Sequence, residues 1–352
     1  MSVRRRGRGK TDYAKEIALI GSRRQWSTLA VFLVLLVVLP FVLRGSGNLS
    51  WLSFINFTII TLIAVLGLNI TTGMAGQISL GHSAFVMVGG YLVALLTLNA
   101  GWPVLAALPV AAVLSGAIGL VVAAPTFRLK GFYVAVVTLA FLFIAQFVLR
   151  SLDVTGGIHG MIGIPSPAIG GLTIRTDLQW YFLLLPVGIV AVVASANIGR
   201  SRIGRAFLAI RDNDVAAAGL GINVPLTRLR AFFIGSLYAG LAGGLWVSYV
   251  HVIRTDQFTV WDSIWYLGMI VIGGGGSTAG AVAGVLFLRF LGQFLHVIGT
   301  SGWIPASSNL SVYVTYTIYG LAIVLFVSFQ PMGLIAIWRR IKISYKRWPF
   351  GV

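Results

Sequence analysis

Trp51-Leu-Ser-Phe-Ile-Asn-Phe-Thr-Ile-Ile-Thr-Leu-Ile-Ala-Val-Leu-Gly-Leu68 is an apolar run broken only by small polar side chains. It lies within a longer stretch, Gly45 to Phe127, that holds no Asp, Glu, Lys or Arg. A helix needs about 20 mostly apolar residues to cross the hydrocarbon of a bilayer, so this stretch has room for several crossings. The same texture continues outward from it. Of the 352 residues, 58% are hydrophobic and 10% charged, against about 25% charged in a soluble domain. Barrel strands alternate every second residue, and these runs do not. The fold class is an all-α polytopic membrane protein.

Apolar runs separated by Gly, Pro and charge predict about ten spans, near 27–43, 51–72, 80–98, 103–124, 131–150, 179–197, 229–250, 262–276, 280–298 and 310–329. The net charge of +18 would suggest nucleic acid in a soluble protein. Here the basic residues fall in tails and short loops, where they set membrane orientation. With ten spans and a cytoplasmic N-terminus, all of the 26 Lys and Arg except Arg44, Arg150, Arg175, Arg254 and Arg289 lie on the cytoplasmic side. The organisation expected is a basic cytoplasmic tail over 1–26, a transmembrane domain over 27–330 and a second basic cytoplasmic tail over 331–352. The first span reads as retained, because Pro40-Phe-Val-Leu-Arg44 does not resemble a cleavage site. The chain has no cysteine, which excludes disulfides and thiol-based metal or redox sites.

Two hydrophilic segments interrupt the tight loops. Residues 151–178 form a Gly- and Pro-rich outer loop, and residues 198–228 the longest inner one. The inner loop carries Asp212, Asn213 or Asp214 as a helix N-cap, then Ala216 and Ala217, with Gly219 or Gly221 as a stop. Such a short surface helix could enter a partner's groove, or could simply connect two spans at the lipid surface.

Between the second and third spans runs Thr71-Thr-Gly73-Met-Ala-Gly76-Gln77-Ile-Ser79-Leu-Gly81-His82-Ser83-Ala-Phe85. Irregular backbone at membrane depth is tolerated where it lines a protein-enclosed cavity, and Gly-interrupted segments point to translocation paths. A close-packing turn of small residues is the other reading. His82 has no carboxylate near it in sequence, which favours a hydrogen-bonding over a titrating role. Arg289, Gln293 and His296 share one face of a helix; they line a conduit or join helices. Gly73-Met-Ala-Gly76 echoes Gly240-Leu-Ala-Gly243 on spans of opposite direction, as in an inverted repeat. Gly273 to Gly280 lacks the Lys-Ser/Thr of a phosphate loop. No nucleotide motif is present, the histidines at 82, 159, 251 and 296 are dispersed, and neither an enzyme nor a metal site is indicated.

Leu68 to Phe85, Leu129 to Ala140, Thr155 to Gly160, Gly204 to Asn223 and Ile272 to Gly284, taken in order, resemble the permease subunits of ABC importers for branched-chain amino acids, specifically the M-type (Liv-type) subunit. The resemblance implies a second, H-type permease, two cytoplasmic ATPase subunits that bind the ATP, a periplasmic solute-binding protein, a bacterial inner-membrane location and no cofactor of its own. Asp214 to Gly219 is similar to the family's coupling motif, with Asp214 where Glu is usual. Phe141 to Gln146 departs from the Gly-Glu common there. Family members also carry urea or short amides, so the solute stays open. The rival class is an ion-coupled secondary transporter, which usually needs intramembrane carboxylates; none falls in a span centre.

Overall fold

The computed structural model describes residues 31, 34–43, 50–127, 131–300, 310–330 and 333–347. The tail expected over 1–26, and Arg128 and Lys130, lie outside the described residues. The chain divides into a unit over Met1–Ser53 and a larger one over Phe54–Val352. Residues Val34–Leu43 of the first unit form an apolar helix, α1.

The helices that follow are α2 (Ser50–Leu68), α3 (His82–Leu98), α4 (Val104–Ala123), α5 (Phe132–Ser151), α6 (Asp177–Arg200), α7 (Arg202–Asp212), α8 (Asp214–Gly219), α9 (Val224–Val250), α10 (Val260–Gly273), α11 (Thr278–Thr300), α12 (Leu310–Phe329) and α13 (Leu334–Arg347). Strand content is slight. β1 (Met161–Ile162) pairs antiparallel with β4 (Val252–Ile253), and β2 (Ala168–Ile169) pairs with β3 (Leu172–Thr173) in the loop before α6.

The protein is a multi-pass helical membrane protein. Among the described residues six helices are long and apolar enough to cross a membrane, starting at Ser50, Val104, Phe132, Asp177, Val224 and Thr278. Val34–Leu43, His82–Leu98 and Thr317–Phe326 are shorter apolar helices. Hydropathy predicts about ten spans, several of them short or merging so that nine also fits; among the described residues the structure has these six spanning helices and three shorter apolar ones. At 1.5 Å per residue, the 17 residues of α3 and the 14 of α10 reach roughly 26 and 21 Å, less than the ~30 Å hydrocarbon core.

Local chemistry fixes the boundaries. Thr176 and Gln179 form a capping box on α6, and Thr259 and Asp262 form another on α10. Asn223 caps α9, whose first turn holds Pro225. At its far end His251 adopts a left-handed conformation (φ 64°), and its Nδ1 donates to the Ile164 carbonyl at 2.8 Å.

Helix α9 packs chiefly on α3 and α4, and small residues let it come close. A Cβ on Gly243 would stand 1.8 Å from the Val86 carbonyl oxygen, and one on Gly89 2.2 Å from the Gly240 Cα. Gly240-Leu-Ala-Gly243 is therefore a mid-helix packing patch. Its echo Gly73-Met-Ala-Gly76 sits where α2 ends, so the two are alike in sequence but meet different needs.

Candidate functional site

Helix α2 does not run into α3. Its last turn widens into a π turn over Asn69–Met74, with the Thr71 hydroxyl donating to the Leu68 carbonyl at 3.1 Å. Gly76 then takes a left-handed conformation (φ 71°), open to glycine at little cost. An extended stretch leads to Gly81 and the start of α3. Thr138 on α5 holds this stretch: its hydroxyl accepts from the Leu80 amide at 3.0 Å, and a Cβ on Gly81 would lie 1.8 Å from its carbonyl oxygen.

The stretch has two faces. Gln77, Ser79, Gly81 and His82 are buried, while Gly76 and Ile78 are exposed. His82 donates from Nε2 to the Ala64 carbonyl of α2 at 2.9 Å, a bond between packed helices. The Gln77 amide nitrogen donates to the Arg228 carbonyl at 3.2 Å. Among the described residues, Asn69 Nδ2, Gln77 Oε1 and Ser79 Oγ are buried without a hydrogen-bond partner.

The first turn of α3 meets the first turn of α10. The Ser263 hydroxyl donates to the Ser83 hydroxyl (2.8 Å) and accepts from the Ser83 amide (3.0 Å), and the Ser83 hydroxyl donates to the Thr259 carbonyl (2.9 Å). Two short helices thus have their N-terminal ends tied together. At its other end α10 runs into the glycine turn 273–276, whose Gly276 amide donates to Asn69 Oδ1 at 3.0 Å.

The inner loop of the sequence reading folds as α7 and α8. Ser201 caps α7, and Asn213 caps α8 by accepting from the Val215 and Ala216 amides at 3.0 Å. Gly219 ends α8, and Gly221 turns the chain with φ 82°. Of the coupling candidates, Asp212, Ala216 and Gly219 are exposed; Asp214 is half-buried and pairs with Arg228 at 3.1 Å. Ala217 is 2% exposed and faces its own subunit. The outward apolar side chains are Val215, 72% exposed, and Leu220, 82% exposed. Sequence reading did not single these two out, since a six-residue helix is too short for periodicity to reveal its buried side.

The broken segment and the loop touch. Arg211 Nη1 donates to the Gly73 carbonyl at 2.8 Å, and a cavity of about 330 Å³ lies between Gly76, Gln77, Arg211, Asp214 and Arg228. Arg289 lies apart from this contact. Its Nε donates to the Thr58 hydroxyl at 3.3 Å, its guanidinium stands 5.2 Å from the Phe54 ring, and it has no carboxylate partner among the described residues. Gln293, one turn on, is half-buried, and the side chain of His296 lies outside the described set.

Over 285 residues the chain is 30% identical to the high-affinity branched-chain amino acid transport system permease protein LivM of Escherichia coli strain K12, and equally to that of Salmonella typhimurium strain LT2. These alignments cover 74% of this chain and 66% of each relative, so the chain spans just under two thirds of their length. A shorter match, 28% identical over 153 residues (39% of this chain and 48% of the relative), joins it to the ribose import permease protein RbsC of Escherichia coli strain K12. No solved structure matches the chain. The family described as the branched-chain amino acid transport system permease component matches residues 50–327, and the chain belongs to that family.

Proposed function

We propose that this chain is a translocating subunit of an ABC importer for branched-chain amino acids or related small solutes. It sits in a bacterial inner membrane with both termini and the 198–228 loop cytoplasmic and the 151–178 loop outside. It pairs with a second, H-type permease. Two cytoplasmic ATPase subunits bind the ATP, and a periplasmic binding protein delivers the solute. The observation that carries the reading is the contact between a broken membrane helix and the one long inner loop, at Arg211 and Gly73. A permease with no nucleotide motif that is driven by separate ATPase subunits receives their movement through such a contact.

In this reading Gly73, Gly76, Gln77, Ser79, Gly81 and His82 build the wall of the path. The exposed edge at Gly76 and Ile78 faces it, and the buried polar side chains hold the segment's shape. Arg289, Gln293 and His296 lie on a second wall, where a cation with no carboxylate partner among the described residues suits a carboxylate-bearing solute. Asp212, Asp214, Ala216, Ala217 and Gly219 form the coupling segment, with α8 entering a groove on the ATPase. Support comes from its cap and stop, from the exposed Val215 and Leu220, and from the permease names of the relatives.

The test is isolation of the chain in mild detergent from its native membrane. The reading expects an ATP-hydrolysing subunit to co-purify in stoichiometric amount. A chain that purifies without one, yet moves solute down an ion gradient, would instead be a secondary transporter.

A further inference from the structure

Arg211 occupies the last turn of α7, two residues before the Asn213 cap of α8. It therefore moves with both helices of the inner loop. Its Nε lies 3.2 Å from Asp212 Oδ1, which orients the guanidinium plane, while Nη1 donates to the Gly73 carbonyl at 2.8 Å. Two glycines flank the side chain, which stays 37% exposed. A Cβ on Gly76 would fall 2.7 Å from Arg211 Cγ, and one on Gly276 would fall 2.5 Å from Nη1. Gly73 and Gly276 are in turn locked to each other. The Gly276 amide donates to Asn69 Oδ1, and a Cβ on Gly73 would stand 2.6 Å from the Gly276 nitrogen.

One side chain thus reaches the π turn that ends α2, the left-handed Gly76 that opens the break, and the glycine turn between α10 and α11. From that turn α10 leads to Ser263, which is bonded to Ser83 in the first turn of α3. A push on α7 arrives at one end of the broken segment through Gly73 and at its other end through α10 and Ser83. The stem of Arg211 fills the space that Gly76 leaves, and its planar fork serves Asp212 and Gly73 together, which a lysine's single ammonium on a shorter arm cannot do with the same geometry.

We infer that Arg211 is the latch that transmits movement of the cytoplasmic loop to the broken segment of the path. It is a positioning residue, distinct from the side chains of α8 that face the ATPase. The inference rests on the coupling assignment made above, and its test is arranged so that the two can fail separately.

Arg211→Met and Arg211→Lys are prepared in the full transporter, reconstituted with its ATPase subunits and binding protein. The latch predicts that both variants retain the ATPase and hydrolyse ATP without solute within twofold of the parent. Stimulation by leucine-loaded binding protein and leucine uptake fall at least tenfold in Arg211→Met, and by an intermediate factor in Arg211→Lys. Nitroxide labels at Ile78→Cys on the broken segment and Ile203→Cys on α7, placed in a chain with no cysteine of its own, supply a readout that a packing role would not move. Their separation stays constant between nucleotide-free and ATP-bound states in the parent, and changes with nucleotide in Arg211→Met.

Uptake by Arg211→Met within twofold of the parent overturns the latch. So does loss of uptake in step with loss of the ATPase, which would make Arg211 a docking residue. If Arg211→Met does not assemble, Arg211→Lys decides, and native uptake by it also overturns the latch. Should Arg211→Met transport normally while exposed substitutions on α8 release the ATPase, the coupling assignment stands and only the latch falls.

Discussion

Replacing Val215 and Leu220 with serine probes the proposed docking helix without touching what holds it to its own subunit. Both side chains are mostly exposed, whereas Ala217 between them is buried. Full burial of a Val or Leu side chain stabilises by about 1.5–3 kcal/mol. Some three quarters of each side chain remains to be covered by a partner, so the pair carries roughly 2–4 kcal/mol if a groove encloses both. Association converts buried area into affinity incompletely, which selects the lower end. At 1.4 kcal/mol per tenfold, about 2 kcal/mol weakens binding about 30-fold. The measurement is a titration of detergent-solubilised transporter with fluorescently labelled ATPase subunit, alongside the thermal midpoint of the permease. The affinity should fall by that factor while the midpoint holds. Native affinity in the double variant would refute α8 as the docking element, and a midpoint that falls with affinity would mean the helix is needed for the fold.

Two further outcomes follow from the site geometry. Gly76→Leu forces a branched side chain into a left-handed position, about 1–2 kcal/mol of backbone strain, with overlap against Arg211 of about 1–3 kcal/mol. The variant should insert and bind its partners yet retain less than a tenth of native uptake; a native rate would remove Gly76 from the moving part of the path. For orientation, cysteines at the exposed positions Leu172 and Ala218 report on opposite faces. An impermeant thiol reagent on intact cells should label Leu172→Cys and spare Ala218→Cys, and the reverse pattern would invert the topology.

The membrane character of the fold is legible in Gly45 to Phe127 because an uncharged run of that length admits few alternatives. Caps are legible for the same local reason. An Asx residue before Val-Ala-Ala-Ala-Gly219 predicts the start of α8, and Asn213 supplies it. The short helices are harder. Hydropathy over 262–276 looks like a span, and nothing local says that Thr259 and Asp262 begin α10 too late for it to cross alone. Contacts that assemble the site are not local at all. Arg211 and Gly73 are 138 residues apart, Ser83 and Ser263 are 180, and Asn69 and Gly276 are 207. Each is an ordinary residue until the fold brings its partner close. A signal for Gly276 existed in the four-glycine turn, which reads as a tight connection while the structure uses it as the meeting point of three segments.

The central claim, that this chain conducts a solute under the power of separate ATPase subunits, is tested most directly in sealed proteoliposomes. The chain is reconstituted with its partner permease, ATPase subunits and binding protein, and uptake of labelled leucine, isoleucine and valine is followed with and without ATP on the ATPase side. The account predicts uptake that requires ATP and the binding protein and is indifferent to ionophores that collapse proton and sodium gradients. Uptake by the chain without ATPase subunits, driven by an imposed ion gradient and abolished by those ionophores, would contradict it.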